Sequence, residues 1–478
     1  MASPATTATP DRALEDLFSA QRAHQAEVKR TTAGERAVKL ARLRDAIVAR
    51  RAAICDAIYK DFRKSPTEVE LTEIYPSLVE IKDAIHSVRK WMKPRRVATP
   101  MAMVGTRSRV HYEPKGVVLI IGPWNYPFQL VIAPLVAAIA AGNCVICKPS
   151  ELTTHTAKLL EELIAAVFPP SEVAVVQGGP AETQRLLELP FDHVFFTGST
   201  RVGKIVAEAA AKHLASTTLE LGGKSPTIVD DSADIAVAAA RIAWGKFVNA
   251  GQTCIAPDYV LVSERREREL VAALGDAIAT MYGTNDADRR ASTDLARVIN
   301  ARNFERLTKL LDDTVAHGAK IELGGERDAA ERYLAPTVLT GVTPDAPIMA
   351  EEIFGPILPI LTYKQLADVP AFVTARDKPL ALYVFSSDRH AIDGVIAGTT
   401  AGGTCVNSTL IHFANPNLPF GGVGPSGVGS YHGVWGFKAF SHERAVLEQG
   451  RIDALKTVYP PYGAKAERML KWMFRLFA

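Results

Sequence analysis

Cysteine is scarce in this chain, net charge is small, and neither metal-ligand histidine spacings nor long apolar runs occur. Only five cysteines are present in 478 residues (Cys55, Cys144, Cys147, Cys254 and Cys405). So odd and sparse a set makes no disulfide framework, and a reducing, cytoplasmic compartment is the better reading. A formal charge of +3 at this length calls for neither nucleic acid nor an anionic membrane as a partner. None of the 11 histidines stands at a metal-ligand spacing such as HExxH. Cys144 and Cys147 form a CxxC pair, but on a strand positions i and i+3 face opposite sides and no second pair accompanies them, so no metal is expected. The longest apolar run, 128–141, contains Pro134 and stops at Gly142. That is short of the roughly 20 residues of a spanning helix, and it reads as a buried helix leading into a strand. Residues 1–10 lack the basic and apolar regions of a secretory signal and read as a disordered tail.

What is present is ordinary globular composition, 47% apolar and 22% charged, in a chain long enough for two or three domains. Residues 11–91 alternate charged and apolar positions at helical spacing, with Ala37, Leu40, Ala41 and Ile47 or Val48 forming one stripe. The basic cluster Arg89 to Arg96 reads as a solvated helix end and linker broken by Pro94. Beyond it, short apolar runs at 117–121, 144–147, 173–176 and 193–196 alternate with Ala- and Leu-rich helical segments. Continuous apolar strands between helices predict a parallel sheet covered on both faces. A second α/β stretch begins near Gly222, with a strand at 227–229, a helix N-capped by Asp234, and later strands at 357–361 and 382–385. The glycine-dense stretch from Gly402 to Gly433 reads as a loop that approaches a ligand or another backbone closely.

Cys254 lies in a polar loop, Asn249-Ala250-Gly251-Gln252-Thr253-Cys254, ahead of Ala256-Pro257-Asp258. A free cysteine is most often a buried structural thiol, but this polar setting favours reactivity. Glu220, flanked by Leu219 and Leu221 and followed by two glycines, reads as a partly desolvated carboxyl of raised basicity. Asn125 is bracketed by Pro123 and Pro127, which stiffen its backbone and fix its amide as an oxyanion donor; a structural turn Asn is the alternative. Gly198-Ser199-Thr200 with Gly203 stands between a strand and a helix, as a diphosphate-binding turn does, yet it lacks the middle glycine of the usual fingerprint. Lys148-Pro149-Ser150-Glu151 ends an earlier strand, where a Lys and a Glu could take the hydroxyls of an adenosine ribose or simply be two exposed charges.

Taken in order, Pro123-Trp124-Asn125-Tyr126-Pro127, Lys148-Pro149-Ser150-Glu151, Gly198-Ser199-Thr200, Glu220-Leu221-Gly222-Gly223-Lys224, Gly251-Gln252-Thr253-Cys254, Glu351-Glu352-Ile353-Phe354-Gly355-Pro356 and Pro419-Phe420-Gly421-Gly422 resemble the motifs of aldehyde dehydrogenases. The likeness runs over about residues 12–463. Ala243-Trp244-Gly245-Lys246-Phe247, Ser430-Tyr431-His432-Gly433 and Tyr459-Pro460-Pro461-Tyr462-Gly463 resemble the class 3 branch, which includes fatty, aromatic and coniferyl aldehyde dehydrogenases.

That resemblance implies an α/β fold with a Rossmann-like dinucleotide-binding domain (1–91 and 118–221), an α/β catalytic domain (222–435), a small bridging β-element used for dimerisation (92–117 and 436–453), and a tail (454–478). It implies Cys254 as nucleophile, Glu220 as general base, and Asn125 with the Cys254 backbone N–H as oxyanion hole. Cofactor contacts fall to Trp124, Lys148, Ser150, Glu151, Gly198, Ser199, Gly203, Leu221, Glu352 and Phe354. Glu151 suits a free 2′-hydroxyl, so NAD is expected in preference, with NADP also admitted. The expected activity is oxidation of a medium-chain aliphatic or aromatic aldehyde to the acid through a covalent thioester, in a homodimer. An acylating relative that passes the thioester to coenzyme A is disfavoured by Glu220, and a catalytically silent structural protein by the complete Cys–Glu–Asn set. The basic, apolar-rich segment 464–478 reads as a helix on the partner subunit or, second to that, as a peripheral membrane contact.

Overall fold

Strands that are apolar at every position need cover on both faces, and a computed structural model shows where that cover comes from. It describes residues 11–100, 103–451, 456 and 459–477; the tail expected at 1–10 lies outside the described residues. One sheet has six strands in the order Gly427–Val428, Ser216–Glu220, His193–Thr197, Val117–Ile121, Cys144–Lys148 and Val173–Val175. Neighbours are parallel except at the Gly427–Val428 edge. Along the central strand, Val117, Leu119 and Ile121 pack with Leu14 and Phe18 of the first helix, while Val118 and Ile120 pack with the helix Gln129–Ala141. Two-sided burial explains why the run shows no alternation. Cys144 joins the first of these clusters and Cys147 the second, so the two thiols point apart.

From Val117–Ile121 the chain steps outward through Cys144–Lys148 to Val173–Val175, then returns to the other side of the central strand at His193–Thr197. Such a reversal opens a crevice at the carboxyl ends of the two strands, the usual ligand site of an open α/β sheet. Ser216–Glu220 ends at the same edge. After Gly222 and Gly223 the chain enters a second sheet, in the order Lys320–Leu323, Thr337–Thr340, Ile357–Tyr363, Tyr259–Ser263, Pro226–Val229, Ala381–Phe385 and Gly403–Val406. It is parallel except for the Lys320–Leu323 edge. The segments that precede its strands, at 222–225, 249–258 and 351–356, are the ones that meet the carboxyl ends of the first sheet.

The N-terminal helices bury the face that their periodicity marks, and Ile47 rather than Val48 completes the stripe: Ile47 is fully buried and Val48 is 49% exposed. Arg89 and Lys90 close the helix Tyr75–Trp91 as expected. Arg95 and Arg96 do not form a linker; they belong to the strand Arg95–Val97, which pairs with Thr106–Pro114. Thr106–Pro114 pairs in turn with Ser441–Gln449, giving a small antiparallel sheet. An edge strand rich in exposed charge, entered by a proline, carries no apolar alternation that would reveal it. The helix Ala464–Phe477 buries Ala466 but leaves Leu470, Trp472 and Phe474 exposed. No helix among the described residues is long and apolar enough to cross a membrane.

Candidate active site

The helix Ile235–Phe247 is capped by Asp234, whose side chain accepts the Val237 N–H. It runs into a tight turn in which Asn249, Ala250 and Gly251 all take left-handed backbone angles (φ 55, 51 and 74°). Two of these residues carry a Cβ, so the turn stands only because its surroundings hold it. Asn249 Nδ2 donates to the carbonyls of Asn125 (2.9 Å) and Gln252 (3.1 Å). Gln252 is fully buried; its amide donates to Asn249 O and Arg297 O and accepts the Ile299 N–H at 2.9 Å. Tyr126 and Thr253 share a hydroxyl hydrogen bond of 2.7 Å. The turn thus leads to a partly buried Cys254 in a frame shared with Asn125 and with the backbone of Arg297 and Ile299.

Asn125 is part of that frame. Its Nδ2 donates to Gln252 O at 3.0 Å, which fixes the amide plane and uses one of its two N–H bonds. From behind, Lys64 Nζ donates to Asn125 O at 3.3 Å and pairs with Glu73 at 2.8 Å, both side chains being fully buried. Glu73 in turn accepts the N–H groups of Phe128 and Gln129 at the start of the helix Gln129–Ala141. Lys64, Glu73, Gln252 and Tyr126 are neighbours of the site that sequence reasoning did not assign.

Glu220 is 3% exposed, and neither of its carboxylate oxygens has a hydrogen-bond partner. Burial holds its carboxyl well above the ordinary carboxylate range. Burial also pushes the Cys254 thiol up to about 12, with the charges of Glu352 and then Glu220 adding to the effect. The structure therefore brings Cys254, Glu220 and Asn125 into one neighbourhood, with Glu352 as a second carboxylate. Burial raises Glu352 to about 8, and its Oε1 is buried without a partner. Its carboxylate lies against Gly222, where a Cβ would sit 2.0 Å from Oε2. Lys224 holds this segment in place. Its Nζ pairs with Asp258 and donates to the Ile348 and Glu351 carbonyls, while Asp258 accepts the Ile353 N–H at 3.0 Å.

Around the crevice, Trp124 and Phe354 meet edge to face with ring centroids 5.2 Å apart. Lys148 Nζ is buried and reaches Glu151 at 3.4 Å, and the Ser150 hydroxyl accepts the Leu152 N–H. Ser199 caps the helix Thr200–Lys212 through the Val202 N–H, so its hydroxyl serves the helix and leaves the N-terminus to face an anion. Gly198 N donates to Glu220 O, tying that turn to the Glu220 strand. Gly203 packs on Leu221, where a Cβ would lie 2.6 Å from the Leu221 side chain. The buried Thr197 hydroxyl has no partner. A helix N-terminus, a Lys–Glu pair at the next strand end and orphaned polar atoms form a cradle that fits a dinucleotide. Among the described residues no cluster of His, Cys, Asp or Glu could hold a metal ion.

A switch-point crevice thus faces a loop cysteine and a buried carboxylate on a two-sheet α/β fold. The model of the aldehyde dehydrogenase family matches residues 3–446, and the chain belongs to that family. It is 48% identical over 428 residues to the 4,4'-diaponeurosporen-aldehyde dehydrogenase of Staphylococcus aureus, covering 89% of this chain and 92% of that one. It is 44% identical over 463 residues to human aldehyde dehydrogenase family 3 member B1, covering 96% and 95%. The substrate-bound state of Staphylococcus aureus AldH has a TM-score of 0.92 at 45% identity, covering 96% of this chain and 99% of that one. A Staphylococcus aureus betaine aldehyde dehydrogenase in complex with NAD+ has a TM-score of 0.84 at 26% identity, covering 94% and 90%.

Proposed function

We propose that the chain oxidises an aldehyde to its carboxylic acid through a thioester on Cys254, with NAD preferred and NADP admitted. The Cys254 sulfur bonds to the carbonyl carbon as its proton leaves toward a carboxylate. The developing alkoxide is met by the second Asn125 N–H and the Cys254 backbone N–H. When bound, the nicotinamide supplies the oxidation by accepting a hydride. Glu220 then takes a proton from water that attacks the thioester, releasing the acid and the free thiol. The observation that carries this reading is the buried, unpartnered Glu220 carboxylate, whose charge raises the Cys254 thiol. A carboxylate whose basicity burial has raised above the ordinary range is suited to water activation.

The cradle residues Trp124, Lys148, Ser150, Glu151, Gly198, Ser199, Gly203, Leu221, Glu352 and Phe354 would hold the cofactor. Glu151, next to Lys148, favours a ribose hydroxyl over a 2′-phosphate. The betaine aldehyde dehydrogenase relative solved in complex with NAD+ supports the same preference. The substrate is read as medium-chain aliphatic or aromatic, and the small antiparallel sheet as the dimer contact of a homodimer.

Stopped-flow measurement of reduced cofactor tests the mechanism. Cys254→Ala abolishes both burst and turnover. Glu220→Gln keeps the burst and slows the steady state, and coenzyme A does not accelerate turnover. A Glu220→Gln protein with near-full steady-state hydrolysis would overturn the base assignment.

The exposed Leu470, Trp472 and Phe474 on a helix that also carries Arg468, Lys471 and Arg475 favour an external surface for the tail. We read that surface as the partner subunit. Flotation with anionic liposomes is then absent both for the full chain and for one ending at Gly463; flotation of the full chain alone assigns the helix to lipid instead.

A further inference from the structure

One partly buried carboxylate beside the nucleophile loop has no part in the chemistry above. Glu68 lies in the short helix Pro66–Val69, which Ser65 caps by accepting the Glu68 N–H. Its Oε1 accepts the N–H of Asn249 at 2.9 Å, across 181 positions of chain. That N–H opens the left-handed run Asn249-Ala250-Gly251. Left-handed geometry costs a non-glycine residue roughly 1–2 kcal/mol, so the bond from Glu68 is one of the few contacts that keep the turn in place. The others are made by the Asn249 and Gln252 side chains themselves. Among the described residues, Glu68 is therefore the one charged group that grips the backbone of the turn from outside it.

We propose that Glu68 is a positioning residue that sets how the turn presents Cys254: ionised, it clamps the Asn249 amide and the turn behind it; protonated, it loosens both. The inference rests on the thiol chemistry proposed above. Charge-assisted hydrogen bonds are about twice as strong as neutral ones, which gives the switch its two strengths. Burial raises the Glu68 carboxyl to about 7, against Lys64 and the Asn249 amide, which lower it, and with Glu73 and Asp294, which raise it further. Tyr126 and, from the helix Glu267–Tyr282, Tyr282 also face it. Lys64 is committed to Glu73 and Asn125 O, and among the described residues no basic side chain forms an ion pair with Glu68. The carboxylates whose charge bears on the sulfur are Glu352 and Glu220. Glu68 therefore acts on Cys254 through the backbone.

The test is the rate of Cys254 alkylation by iodoacetamide in the full chain, read by peptide mass spectrometry from pH 5.5 to 9, with kcat and KM measured alongside. The wild-type profile has an inflection near pH 7, distinct from that of Glu352 near 8. In Glu68→Gln the amide oxygen still accepts the Asn249 N–H but cannot ionise. That inflection disappears, and the ratio of rates at pH 8 and pH 6 falls by roughly 2- to 10-fold, the worth of about one hydrogen bond. Glu68→Ala lowers kcat at every pH with KM little changed, because sulfur placement matters to the transition state. Superposable wild-type and Glu68→Gln profiles, with the burst intact, overturn the role of Glu68, and Glu68→Gln carries the test should Glu68→Ala fail to fold. A wild-type chain without an aldehyde-dependent burst overturns the thioester reading instead.

Discussion

At Gly251 a single carbon atom decides the geometry of the site. Its φ is +74°, and a Cβ there would lie 2.3 Å from the Gly355 carbonyl oxygen and 2.5 Å from the Gly355 carbonyl carbon. The loop that carries Cys254 and the turn that follows Glu352 and Phe354 therefore touch backbone to backbone. No side-chain rotation can relieve such a contact, so alanine at 251 separates the two segments or unwinds the left-handed turn. Displacing a catalytic group by about 1 Å costs on the order of 100-fold in rate. Gly251→Ala is expected to keep its secondary structure by circular dichroism while kcat falls by roughly that factor; kcat within twofold of wild type would show that the contact does not place the sulfur. Asn125 and Gln252 are bound into the same frame through the 3.0 Å bond from Asn125 Nδ2 to Gln252 O. Their placement and that of Cys254 are therefore coupled and will not vary independently.

Elements whose burial is two-sided or one-sided in a regular way could be read from the sequence, and those held by distant partners could not. The run Val117–Ile121 announces a central strand because both of its faces are packed. Asp234 announces the helix Ile235–Phe247 because a short polar side chain precedes an apolar stripe. Asn125, Glu220 and Cys254 stand out for the same local reason: each has neighbours unusual for its residue type. The small antiparallel sheet left only part of its outline, since Arg95–Val97 is charged and lies at an edge. The clamp of Lys64, Glu68 and Glu73 left none. Its bonds run to Asn125 O, to the Asn249 N–H and to the Phe128 and Gln129 amides, and a bond to a remote backbone amide imposes no spacing on the residues that make it. The Glu70–Ile74 stretch, a wide-pitched turn between Pro66–Val69 and Tyr75–Trp91, was hidden inside a charged helical pattern in the same way.

Across the whole molecule, the site leaves its mark on the pH dependence of stability. Burial raises Glu68 to about 7, Glu352 to about 8 and Glu220 well above the usual carboxylate range. Each of these groups keeps its proton in the folded chain over a range where the unfolded chain has lost it. Folding is therefore favoured below the ordinary carboxylate pKa, and that contribution is lost as pH rises through about 7 and then about 8. Two buried imidazoles act in the opposite sense at lower pH. Burial lowers His412 to about 4 and His193 well below its ordinary value, so the unfolded state takes up protons there first and stability grows as pH rises toward 6.5. The two trends offset each other on the acid side, and only the carboxylates act between about 6.5 and 8. Above that range buried Lys246, lowered to about 8, sheds its proton in the folded state first and begins to restore stability. Scanning calorimetry is therefore expected to show Tm falling most steeply between pH 6.5 and 8 and levelling beyond it. Replacing Glu68 and Glu352 together by Gln flattens the fall, because the two groups that would have to ionise inside the protein are gone. A double variant with the wild-type slope would mean that these carboxylates ionise in the folded chain as they do in water, and their enclosure would then have no thermodynamic consequence.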